Sequence, residues 1–112
     1  GRAAREALQR TGLWEKIESR LVLGENVSQA AQFATSGSAQ GGIIAYSLAL
    51  SHQMAPLGRS ALIPADLHQP LRQRMVLTKR AGETARAFYS FVQTPDVRAV
   101  FERYGFVLPG EK

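Results

Sequence analysis

The stretch GENVSQAAQFATSGSAQGGIIAY, residues 24–46, decides how the chain is expected to fold. Its first half predicts a helix over residues 26–36, because small and apolar residues recur there at helical spacing: Val27, Ala30, Ala31 and Ala34. Asn26 is a favourable N-cap, and Gln29 lies where a capping box needs a partner. The helix begins with free backbone N–H groups and a partial positive charge, which suit an anion. A purely structural cap is nonetheless the commoner role of such an end.

The segments on either side of this helix have the character of strands. Residues 20–24, RLVLG, precede it, and residues 41–46, GGIIAY, follow it with the continuous apolar run of a strand buried on both faces. Strand, helix and strand in this order predict a βαβ unit over residues 20–46. Further strands are predicted at residues 59–63 and 72–78, so the expected fold class is α/β.

Helices are predicted nearer the two ends of the chain. Residues 2–10 form an amphipathic helix, and Leu13, Trp14 and Ile17 share one side of a short helical turn. Residues 83–93 form another amphipathic helix. Thr94 and Pro95 then predict a new helix start, with Thr94 as N-cap and Asp96 in the first turn.

Composition excludes several classes of protein. The 112 residues include no cysteine, which excludes disulfides and thiolate metal sites. No apolar run is long enough for a membrane helix, and the first residues lack the apolar segment of a secretory signal. The net charge of +5 comes from Lys and Arg spread along the chain. A solvated basic surface therefore explains the charge better than a nucleic-acid interface.

No catalytic pattern is visible in the sequence. His52 and His68 lie in predicted loops without a second ligand at metal spacing, and both are expected to be exposed. Nucleophile-elbow, P-loop and dinucleotide-binding motifs are absent. The serines and threonines of residues 28–47 are better suited to donating hydrogen bonds than to nucleophilic attack. The residues alone therefore indicate no catalytic site, while a nucleophile paired with a base elsewhere in the fold stays an open alternative.

Four segments, in this order and spacing, resemble the periplasmic molybdate-binding proteins of ABC transporters. They are GRAAREAL (1–8), LVLGENVSQAAQFATSGSAQGGIIAYS (21–47), LIPADLHQPLRQRMVLTK (62–79) and ARAFYSFVQTPDVRAVFERYGFVLP (85–109). The resemblance implies a type II periplasmic binding fold with two α/β lobes. Residues 1–78 would form most of the second lobe, and residues 79–112 a helical segment that packs on the first lobe. Proteins of this family are roughly twice as long, as two lobes require, so we expect a C-terminal fragment.

The resemblance also implies a ligand and its contacts. The backbone N–H of Val27 would donate to an oxygen of molybdate, or of the similar tungstate, with Asn26 and Ser28 beside the ligand. Neutral donors would hold the anion, without a cofactor or a cation ligand. Ala45 occupies a position where some members have a donating tyrosine, and Tyr46 would face the other side of a strand. The partner would be the membrane permease of the transporter, and the location the periplasm.

The resemblance favours a binding protein over an enzyme. Three alternatives remain open from the sequence. The first is a binding protein for another oxyanion such as sulfate or phosphate, the second is the ligand-binding effector domain of a transcription regulator, and the third is an enzyme. A fragment would bind molybdate weakly or not at all. It would also expose an apolar stripe that favours a dimer, formed by Phe88, Phe91, Val97, Val100 and Phe101.

Overall fold

The computed structural model describes residues 1–110, which form two compact units that divide between Leu71 and Arg72. This division lies near the boundary predicted at residue 78. The assignment of the two parts to lobes of a larger fold stays a prediction.

The first unit contains four α-helices, three 3₁₀ turns and the segments that link them. The α-helices are α1 (Arg2–Arg10), α2 (Trp14–Ile17), α3 (Val27–Thr35) and α4 (Tyr46–Ala49). The 3₁₀ turns are Glu18–Arg20, Ala55–Leu57 and Ala65–Leu67. Both α1 and α3 lie where the apolar periodicity predicts helices.

The end of α1 shows why the chain turns where it does. Gly12 has a φ of 72°, a left-handed conformation that a side chain disfavours. Leu13 N–H donates to Leu8 O at 2.9 Å and Gly12 N–H to Gln9 O at 3.1 Å, the two bonds of a Schellman motif. The chain then enters α2, where the Arg5 guanidinium lies 4.7 Å from the centre of the half-buried Trp14 ring. Trp14 thus packs under a cation rather than anchoring a dry core.

The buried core is very small. Among residues 1–110 only Ala7 of α1 and Ala31 of α3 fall in the buried class. Val27 shares the apolar spacing of Ala30, Ala31 and Ala34, yet 57% of it is exposed. Of this pattern only Ala31, in the middle of α3, is buried.

The four predicted strands are wrong as secondary structure, since residues 1–110 contain no strand. Residue 20 belongs to a 3₁₀ turn and residue 46 begins α4. The rest of these segments runs without ladder hydrogen bonds among the described residues. A strand exists only through bonds to a neighbouring strand, and residues 41–46 and 59–63 instead line an open cleft of about 570 Å³. The α/β class, and the βαβ unit at residues 20–46, are therefore not confirmed.

The second unit contains α5 (Glu83–Phe91) and α6 (Pro95–Arg103), close to their predicted positions. Pro95 and Asp96 occupy the first turn of α6 as expected. Thr94 is at the N-cap position, but its hydroxyl donates to Phe91 O at 2.7 Å instead of capping α6. The side-chain cap predicted for this residue is therefore absent.

A second Schellman motif ends α6. Gly105 has a φ of 82°, and Phe106 N–H donates to Phe101 O at 3.0 Å. The rings of Phe101 and Phe106 meet edge to face with their centroids 5.6 Å apart, the apolar contact that accompanies this motif. The Arg98 guanidinium also reaches Pro109 O at 3.5 Å, so residues 105–109 turn back along α6.

Candidate functional site

The predicted oxyanion site is the N-terminus of α3. Asn26 is its N-cap, with an extended backbone at φ −149° and ψ 171°. The Asn26 Oδ1 atom accepts a hydrogen bond from Gln29 N–H at 2.9 Å, which confirms the capping role expected of Asn26. The helix therefore begins at Val27, as the sequence predicts.

The second half of the capping box differs from expectation. Gln29 Oε1 accepts from Glu25 N–H at 2.7 Å, one residue before the N-cap. In a standard capping box this side chain would accept from the N-cap residue itself. The shift ties residue 25 to the first turn of α3, so the loop before the helix is held at two points.

Two backbone donors remain at this helix end. Within the described part of the chain, neither Val27 N–H nor Ser28 N–H has a hydrogen-bond acceptor. Asn26, Val27 and Ser28 are all exposed. The first turn of α3 contains no acidic residue that would oppose an anion. The three residues predicted for the site are thus brought together, and two of them present unused N–H groups.

Two glycines position the chain against α3, a role that no motif in the sequence indicates. A Cβ at Gly24 would lie 2.7 Å from Ala30 N and 3.0 Å from Asn26 O, both backbone atoms. A Cβ at Gly42 would lie 3.1 Å from Ala34 Cβ. A Cβ at Gly42 would also lie 3.7 Å from Ala30 O, so residues 24 and 42 both pass close to Ala30 in the middle of α3. Only glycine permits the approach at position 24.

Ala45 and Tyr46 do not take the strand geometry expected of them. Ala45 is the N-cap of α4, and Tyr46 is the first residue of that helix. The alternation of strand faces therefore does not describe the Tyr46 side chain. Tyr46 borders the 570 Å³ cleft together with Thr35, at the C-terminal end of α3. Val27 lies at the other end of α3, about 12 Å from Thr35 along the helix axis, so this cleft is separate from the predicted site.

The two histidines lie in different environments. His52 is exposed, as expected, whereas His68 is half-buried with its Nδ1 atom 2.9 Å from Gln69 O. No cluster of His, Asp or Glu side chains that could hold a metal ion occurs within residues 1–110. Over the same residues, no helix has the length and apolar character needed to cross a membrane.

Residues 1–107 match the family of bacterial extracellular solute-binding proteins. The chain belongs to this family. Its relatives include the molybdate-binding protein ModA of Rhodobacter capsulatus, which is 38% identical over 96% of this chain, and that of Azotobacter vinelandii, which is 34% identical over 96%. A third is the putative ABC transporter substrate-binding lipoprotein YvgL of Bacillus subtilis, 28% identical over 95%.

The matched region is only part of each relative. The chain spans 42% of the Rhodobacter protein, 44% of the Azotobacter protein and 41% of the Bacillus protein. No significant match to a solved structure was found. Membership of the family implies a periplasmic binding protein fold for the whole protein.

Proposed function

We propose that this chain is part of the solute-binding component of a molybdate ABC importer, and that it is no enzyme. The observation that supports this best is the 38% identity, over 96% of the chain, to a relative named as molybdate-binding. The Bacillus relative is named as the substrate-binding part of an ABC transporter, which supports a membrane permease as partner. A binding protein of this type would work in the periplasm.

The proposed ligand contacts are at the N-terminus of α3. Val27 N–H and Ser28 N–H would donate to oxygens of a tetrahedral oxyanion, and Asn26 would lie beside it. The free donors, their exposure and the absence of an acidic residue in the first turn support this assignment. Helix N-termini stabilise anions through such N–H groups and the aligned peptide dipoles. No cofactor or cation is needed.

Molybdate is the proposed ligand, and tungstate is a second ligand of similar shape and charge. The chain spans less than half the length of the relatives it matches. We therefore expect weak binding by this chain alone, because other donors would come from outside the matched region. A complete two-lobed α/β fold is likewise proposed for the longer protein only.

A titration of the ¹⁵N-labelled chain tests the proposed ligand. Molybdate should shift the amide signals of Val27 and Ser28 more than sulfate does at the same ionic strength, with tungstate close to molybdate. Saturation should need millimolar anion, a binding free energy of about −4 kcal/mol. Equal shifts with sulfate and molybdate, or tight binding detected by calorimetry, would contradict the proposal of an incomplete molybdate site.

We also propose that copies of this chain associate through exposed apolar residues of the second unit. Of the five residues in the predicted stripe, three remain exposed: Phe88 at 63%, Phe91 at 57% and Val100 at 44%. Val97 and Phe101 are half-buried, the latter against Phe106. Exposed apolar surface of this kind favours association with a partner. In a solution of the purified chain, the available partner is a second copy.

A further inference from the structure

A polar clasp joins α1 to the last residues of the first unit. Glu6 Oε2 accepts a hydrogen bond from Gln69 N–H at 2.6 Å, and the Arg10 guanidinium donates to Asp66 O. The 3₁₀ turn Ala65–Leu67, which contains Asp66, packs against α1. The partners are separated by 63 and 56 residues along the chain, so the clasp closes a long loop.

Both oxygens of the Glu6 carboxylate have partners. Oε1 pairs with Arg2 Nη1 at 2.5 Å, one turn earlier on α1, while Oε2 holds the Gln69 amide. The Gln69 N–H and, after it, the Arg2 guanidinium lower the pKa of Glu6 from its ordinary value, and Arg10 adds to this. The carboxylate therefore stays ionised, and able to accept both hydrogen bonds, at neutral pH.

The position of the clasp gives it a role beyond joining two segments. Gln69 lies two residues before the end of the first unit at Leu71. We propose that Glu6 is a positioning residue that, with Arg10, fastens residues 66–69 to α1 and fixes the course of the chain where it leaves the first unit. This inference is independent of the ligand proposed above.

The pH dependence of the Gln69 amide signal provides a direct test. Because the pKa of Glu6 is lowered in the folded chain, the clasp is fully present above the ordinary pKa of glutamate and is lost as pH falls through the folded pKa. The Gln69 amide proton should therefore shift with a midpoint below that ordinary value. The His68 ring also contacts Gln69, at its carbonyl oxygen, so the titration is repeated in His68→Gln, where the transition assigned to Glu6 should persist.

Variants separate positioning from general stability. Glu6→Gln should abolish the acidic transition of the Gln69 amide, and Glu6→Ala should raise amide exchange of residues 66–71 several-fold while α3 exchanges as before. Glu15→Gln on α2 makes the same charge change and should leave both signals unaltered. The inference would be overturned if the Gln69 amide does not titrate in acid, or if it titrates equally in Glu6→Gln. It would also be overturned if this amide exchanges at the same rate in Glu6→Ala as in the unaltered chain.

Discussion

At the scale of single residues, the site depends on contacts that a sequence pattern does not contain. Asn26 could be identified as an N-cap because capping requires only a side chain and the next three residues. The role of Gly24 could not, since it depends on the distance from its Cα to the backbone of Ala30. The Gln29 contact was predicted one residue away from where it forms. Local chemistry was therefore predictable, and close approach between segments was not.

Replacing Gly24 by alanine should destabilise the first unit. The added Cβ would meet backbone atoms of α3 at 2.7 to 3.0 Å, which cannot move without shifting the helix. We expect a loss of about 1–3 kcal/mol, typical of overpacking. Urea unfolding followed by the fluorescence of Trp14, the single tryptophan, measures it.

Gly41→Ala is the matched control for this substitution. A Cβ at Gly41 has no neighbour within 4 Å, and its φ is not in the left-handed range. Gly41→Ala lowers the conformational entropy of the unfolded chain as Gly24→Ala does, but it adds no clash to the folded chain. It should therefore cause no loss of stability. Equal unfolding midpoints for the two variants would show that residue 24 has no special constraint.

At the scale of elements, helices and strands differ in what determines them. The hydrogen bonds of α1, α3, α5 and α6 are local, so apolar periodicity and terminal signals predicted all four. The strand at residues 41–46 was inferred from an apolar run and another strand was predicted at residues 59–63, but a strand needs a neighbour to bond with. Among residues 1–110 these segments find none, and an open cleft lies between them.

The Schellman motif after α6 gives a prediction for the second unit. Gly105→Ala forces a side chain into the left-handed conformation at φ 82°, which costs about 1–2 kcal/mol. Amide exchange in α6 should accelerate accordingly. Gly105→Asn is the control, because asparagine tolerates this conformation, and it should retain most of the protection. Similar exchange in both variants would mean that the end of α6 does not depend on the glycine.

At the scale of the whole molecule, the exposed surface is large for the chain length. The accessible area is 9435 Å². A single compact protein of this mass would expose about 6,000 Å², and two separate compact bodies of these lengths about 7,300 Å². The difference fits a chain that spans less than half the length of its relatives and in which, among residues 1–110, only Ala7 and Ala31 are buried.

Self-association should follow from this surface. Light scattering after size-exclusion chromatography should show a dimer or larger species at micromolar concentration. Replacing both Phe88 and Phe91 by serine should shift it towards monomer. Val76→Ser is the control, because Val76 belongs to the same unit and is 79% exposed but lies outside the helices. This substitution should not shift the species towards monomer. A clean monomer of the unaltered chain would refute the proposed association.

The most direct test of the central claim removes one N–H group from the site. Val27 is the first residue of α3, where proline is well tolerated, and Asn26 already has the extended backbone that must precede proline. Val27→Pro should therefore keep the helix but lose a donor to the oxyanion, whereas Val27→Ala keeps the donor. We predict that Val27→Pro binds molybdate about 10- to 100-fold more weakly than Val27→Ala in an amide-shift titration, the effect of one charged hydrogen bond. Equal affinity of the two variants, with α3 intact in both, would contradict the assignment of the oxyanion to Val27.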